Sequence, residues 1–103
     1  MVYTEHHGNF ESFEELIKEL VKGQEDVEFH YALDEVKGGC GSWMMDGYKY
    51  TSDVEEFIRI AKNHIEKFGW IAFDFDSKSL YTAVRVYDKE SSLKEYIAVQ
   101  ESL

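Results

Sequence analysis

Proline is absent from the 103 residues, and cysteine occurs once, as Cys40. One thiol cannot close an intrachain disulfide, which excludes a disulfide-stapled scaffold and makes a reducing cytoplasm the expected setting. Long hydrophobic runs are missing. The longest, Trp70 to Phe73, falls far short of the roughly 20 residues that a membrane-spanning helix needs. The first seven residues, Met1 to His7, have neither a basic start nor an apolar stretch, so no export signal is expected. Positive charge is scarce: 11 Lys and Arg stand against 21 Asp and Glu, a net charge of −10. That balance disfavours direct contact with DNA, RNA or anionic lipid, whose phosphates attract Lys and Arg.

What is present is sufficient to fold. Hydrophobic residues make up 44% and aromatics 16%, whereas disorder requires low hydrophobicity alongside high charge. No linker, repeat or low-complexity tract interrupts the chain, and its length predicts one domain.

Three helices are predicted. Ser12 and Glu15 form a capping-box pair, followed by an apolar face of Phe13, Leu16, Ile17, Leu20 and Val21, with Gly23 as the stop. Ser52 and Glu55 form a second box before the stripe Val54, Phe57, Ile58, Ala61, Ile65 and Phe68, which Gly69 ends. Ser92 and Glu95 mark a third start, with a weaker stripe of Leu93, Tyr96 and Ile97.

Between the helices the period falls to two. Val27, Phe29, Tyr31 and Leu33 alternate with Glu28, His30, Ala32 and Asp34. Ile71, Phe73 and Phe75 alternate with Trp70, Ala72, Asp74 and Asp76. Leu80, Thr82, Val84 and Val86 alternate with Tyr81, Ala83, Arg85 and Tyr87. The last two strands are joined by Ser77-Lys78-Ser79 and are predicted to form an antiparallel hairpin. A further short strand is expected within Ser42 to Tyr50. The prediction is an α+β domain with a three- to four-stranded, mainly antiparallel sheet and three helices, in the order α-β-(β)-α-β-β-α.

One face of this sheet reads as core. The other mixes Ala32, Trp70, Ala72, Tyr81, Ala83 and Tyr87 with Glu28, His30, Asp74, Asp76 and Arg85. Either the third helix crosses it, or it is a partner or dimer surface, where aromatics are enriched.

Catalytic and metal signatures are not established. Trp70-Ile71-Ala72-Phe73-Asp74-Phe75-Asp76 resembles the nucleophile strand of haloacid dehalogenase-type phosphatases, but departs after Asp76 and leaves only 27 residues for the rest of such a fold. Gly38-Gly39-Cys40-Gly41-Ser42-Trp43 resembles the papain-type nucleophile segment but lacks the cysteine just before the tryptophan. His6 and His7 are adjacent, His30 is on a strand's outer side, and His64 borders the second helix's stripe. No metal-binding spacing joins them. No metal, no cofactor and no enzymatic activity are expected.

Many acids have local duties: Glu15, Glu55 and Glu95 serve caps, and Asp53 suits a helix start. Glu28, Asp34, Glu35, Asp46, Asp74 and Asp76 lie instead on strands and loops. Side chains two apart on a strand repeat every 6.6–6.8 Å or so, a spacing comparable to successive phosphates of a nucleic acid. The chain resembles the small acidic inhibitors of phages and mobile elements, anti-CRISPR and anti-restriction proteins. Gly41-Ser42-Trp43-Met44-Met45-Asp46, followed by Ser52-Asp53-Val54-Glu55-Glu56-Phe57, is similar to anti-restriction proteins of the ArdA type over about 17 residues, with different spacing. The resemblance implies a non-enzymatic inhibitor and nucleic-acid mimic of the host cytoplasm. Its partner would be a basic protein such as a nucleic-acid-binding defence nuclease, bound through those acids with Trp43, Tyr48, Tyr50, Trp70, Tyr81 or Tyr87 as aromatic anchors. The alternatives are an immunity or antitoxin-like protein facing a basic toxin, and a homo-oligomeric module.

Overall fold

The computed structural model describes residues 1–31, 33 and 49–102. The chain begins with β1 (Val2–Thr4) and β2 (Asn9–Phe10), followed by α1 (Phe13–Val21) and β3 (Glu28–Tyr31). Next come β4 (Lys49–Thr51), α2 (Val54–Phe68), the hairpin strands β5 (Trp70–Asp76) and β6 (Tyr81–Tyr87), and α3 (Glu90–Glu101). All pairings are antiparallel in one six-stranded sheet of order β2-β1-β6-β5-β3-β4. The α+β class is as expected, but the sheet is larger than three or four strands. The N-terminal hairpin was missed because strands of three and two residues are too short to show a period. Gly8, at φ +82°, makes its turn, and the Thr4 hydroxyl donates to the Gly8 carbonyl at 2.6 Å. The strand expected within Ser42 to Tyr50 overlaps β4 only at Lys49 and Tyr50; the rest of that segment lies outside the described residues.

α1 starts as its box predicts: the Ser12 hydroxyl accepts the Glu15 N–H at 3.2 Å. α2 is capped one residue later than expected. Asp53 Oδ1 accepts the Glu56 N–H at 3.0 Å, and the Thr51 hydroxyl donates to Glu56 Oε2 at 3.0 Å while accepting the Asp53 N–H at 3.1 Å. A carboxylate at the cap also meets the positive end of the helix dipole, which the Ser52 hydroxyl cannot match. α2 ends at Gly69, whose φ of +82° suits glycine; an added Cβ would lie 3.2 Å from Asp88 Oδ1. α3 begins two residues before Ser92, with Lys89 at its N-cap and no side-chain cap, so the predicted box at Ser92 and Glu95 is not used.

α1 and α2 lie on one sheet face. Phe13, Leu16, Ile17, Phe57, Ala61 and Ile65 meet Phe29, Phe73, Phe75, Val84 and Val86 in one buried cluster. Its centre is aromatic: Phe29 stacks on Phe57 with centroids 4.2 Å apart and planes 5° apart, and Phe73 meets Phe57 edge-on at 4.8 Å. Aromatic pairs of this kind contribute about 0.5–1.5 kcal/mol beyond their buried area.

α3 packs on the opposite face. Leu93 is buried with Trp70 and Tyr87, and Tyr3, Phe68, Ala72, Tyr96 and Ile97 pack around them. Helix cover, one of the two readings of this face, therefore holds for part of it.

Candidate functional site

Register divides the second face into cross-strand rows. Trp70, Tyr87 and Tyr3 form one row and Ala72 and Arg85 the next. Then come Tyr50, His30, Asp74 and Ala83, and finally Glu28, Asp76 and Tyr81. α3 covers the first row. Arg85 marks the boundary, its guanidinium 4.3 Å from the Tyr96 ring centroid and 5.2 Å from that of Trp70. Beyond Arg85 the face turns acidic.

Glu28 and His30 are two apart on β3 and share a face. Asp76 on β5 lies directly opposite Glu28, and Asp74 directly opposite His30. His30 Nε2 is 2.6 Å from Glu28 Oε1 and 3.9 Å from Asp76 Oδ2. The Tyr50 ring lies against the imidazole, centroids 5.9 Å apart and planes 29° apart. Among the described residues neither Glu28 nor Asp76 pairs with a lysine or arginine. Of the flanking tyrosines, Tyr50 is 67% and Tyr81 61% exposed, whereas Asp74 is buried.

The expected contact residues thus separate into three groups. Glu28, Asp74, Asp76 and Tyr81 are brought together on the half of this face that α3 does not cover. Trp70 and Tyr87 are buried beneath α3, 4% and 1% exposed, and are withdrawn from any partner surface. Their aromatic character serves intramolecular packing. Asp34, Glu35, Trp43, Asp46 and Tyr48, with Cys40, lie outside the described residues. Tyr50 and His30 complete the patch: His30 is on the face expected of it, and Tyr50 is set there by its pairing with His30. The signal for His30 was its alternation with Phe29 and Tyr31, which sets it on the same side as Glu28.

The other histidines have different surroundings. His64 is buried on α2, its Nδ1 2.6 Å from the Trp70 carbonyl oxygen, deeper than the border position expected of it. His6 Nε2 approaches Glu5 Oε1 at 2.6 Å, and His7 Nε2 lies 3.3 Å from the Thr82 hydroxyl. A depression of about 300 Å³ runs along α2, lined by Leu33, Arg59, Ile60, Asn63, His64, Lys67 and Phe68, and none of the sequence-expected contact residues borders it. Among the described residues no helix is long and apolar enough to cross a membrane. No protein-family model, curated protein or solved structure matches the chain.

Proposed function

We propose that this chain is a non-enzymatic acidic binding protein. It docks the half of its second sheet face that lies beyond α3 onto a basic, nucleic-acid-binding surface of another protein, after the manner of small acidic phage inhibitors. The observation that carries this reading is the asymmetry of the second face. α3 buries the apolar half, while Glu28 and Asp76 stand part-exposed opposite each other, with the buried Asp74 in the adjacent row and the solvent-exposed Tyr50 and Tyr81 flanking them. Half-exposed carboxylates offer hydrogen-bond acceptors to Lys and Arg, and exposed tyrosines offer large contact area at small entropic cost. The net charge of −10 adds long-range attraction that speeds encounter with a basic partner.

The test is affinity capture from host lysate at low salt, followed by competition. The captured protein is expected to bind nucleic acid. Duplex DNA or RNA should displace the chain from it, the complex should weaken steeply with added salt, and Tyr81→Ala with Glu28→Gln should abolish it. Binding that is indifferent to salt and to both substitutions would overturn the reading. A small basic toxin as the captured protein would replace it with the immunity-protein alternative.

A further inference from the structure

We propose that Glu28, His30 and Asp76 form a binding site for a divalent transition-metal cation of the zinc class. The inference stands on these three side chains alone and does not depend on the protein partner.

Three features converge. The first is the donor set. One imidazole nitrogen and two carboxylates are the ligand types that bind zinc, and the three residues bring one donor atom each to within 4.8 Å of one another. The second is how the backbone delivers them. Glu28 and His30 occupy positions i and i+2 of β3, so both project from one face, and the antiparallel register sets Asp76 beside Glu28 on β5. Three donors from two paired strands form a triangle whose base is the ladder itself, on the hydrogen-bonded scaffold of the central sheet. Donors around a tetrahedral zinc stand about 3.4 Å apart, given bonds of about 2.1 Å. The observed separations of 2.6 Å and 3.9 Å from His30 Nε2 bracket that value. Modest rotation of two carboxylates would equalise them.

The third feature is uncompensated charge. Like charges directly opposite in a ladder are unfavourable, yet Glu28 and Asp76 are so placed, and among the described residues no lysine or arginine pairs with either. A dication satisfies both. Around His30, the Tyr50 ring lies beside the imidazole, and Asp74 adds a buried carboxylate on the paired strand. Side-chain exposures of 34% for Glu28, 19% for His30 and 43% for Asp76 leave room for water to complete the coordination shell.

Sequence spacing did not reveal this site, because Asp76 is distant along the chain from β3 and the local pair is Glu-x-His on a strand. Recognised zinc motifs place two Cys or His ligands close in sequence.

The experiment is calorimetric titration of the chelator-treated full chain with Zn²⁺ alone. One equivalent should bind. Glu28→Gln and Asp76→Asn should each weaken binding at least tenfold, and His30→Asn more. His6→Asn with His7→Asn should leave the affinity unchanged, which separates the sheet site from adventitious capture by the N-terminal histidines. Circular dichroism checks that each variant stays folded. In the wild-type chain, whatever the fate of the variants, the His30 imidazole ¹⁵N resonances should shift on zinc addition. No binding by about 1 mM Zn²⁺, a weak-affinity limit near −4 kcal/mol, would overturn the proposal. So would His30 resonances that stay still, or binding lost only in the His6 and His7 variant.

Discussion

Ser52 and Asp53 stand side by side at the entrance to α2, and the helix uses only Asp53 as its cap. Asp53 Oδ1 holds the Glu56 N–H, and Glu56 in turn accepts from the Thr51 hydroxyl. Replacing Asp53 with Ala should cost about 1 kcal/mol, the usual value for a lost N-cap. Replacing Ser52 with Ala should leave the urea midpoint nearly unchanged. The run Ser52-Asp53-Val54-Glu55-Glu56 contains two overlapping box patterns, so spacing alone locates the helix start only to within one residue. Ser12 has no such neighbour, since Glu11 and Phe13 cannot cap in its place, and there the pattern and the hydrogen bond agree. The core phenylalanines were legible for a related reason. Phe29, Phe57, Phe73 and Phe75 each fall on an unambiguous strand or helix period, and all four are buried.

α3 is the element whose placement decides the character of the second face, and its own sequence says little about it. Its apolar stripe is weak, it has no side-chain cap, and only Leu93 is buried. The helix is held by what it lies on, the Trp70 and Tyr87 row, and tertiary packing of this kind is invisible to local periodicity. Burial pushes the Tyr87 phenol above its ordinary value of 10.0, against smaller opposing effects of Arg85. The folded state therefore holds this proton more tightly than the unfolded chain does. The associated stability is complete below the ordinary tyrosine value and is lost as pH rises through the folded value. Leu93→Ala should destabilise by about 2–5 kcal/mol, the range for truncating a buried leucine. By loosening α3 it should also bring the Tyr87 ionisation down toward the ordinary range. Alkaline absorbance titration at the tyrosinate band checks this, with a Tyr87→Phe chain identifying the transition. A Tyr87 titration unmoved in Leu93→Ala would show that the sheet alone excludes water from the phenol.

At the scale of the molecule, a charge of −10 is spread over a body with extents of 37 × 31 × 25 Å. The Debye length falls from about 30 Å at 0.01 M salt to about 8 Å at 0.15 M, so repulsion acts across the whole body in dilute buffer and only between neighbours at physiological strength. Among the described residues few acids are offset by pairing with lysine or arginine: Glu14 with Lys62 at 2.7 Å, Glu25 with Lys78 at 3.7 Å and Glu90 with Lys94 at 2.9 Å, all exposed. The excess was plain in the composition, but its concentration at Glu28 and Asp76 depends on which strands are neighbours. That pairing is settled by the whole sheet. Asp76→Asn removes one of two directly opposed charges while keeping the closer Glu28–His30 contact. With chelator present it should raise stability by about 0.2–1 kcal/mol in dilute buffer. The gain should shrink as salt increases, because the distant part of the repulsion is already screened. Urea denaturation at the two salt concentrations measures both quantities. A surface whose neutralisation stabilises the fold carries its charge at a cost in stability, which an external cation or basic partner would offset on binding. A loss of stability in Asp76→Asn at both salt concentrations would instead assign Asp76 to intramolecular support of His30.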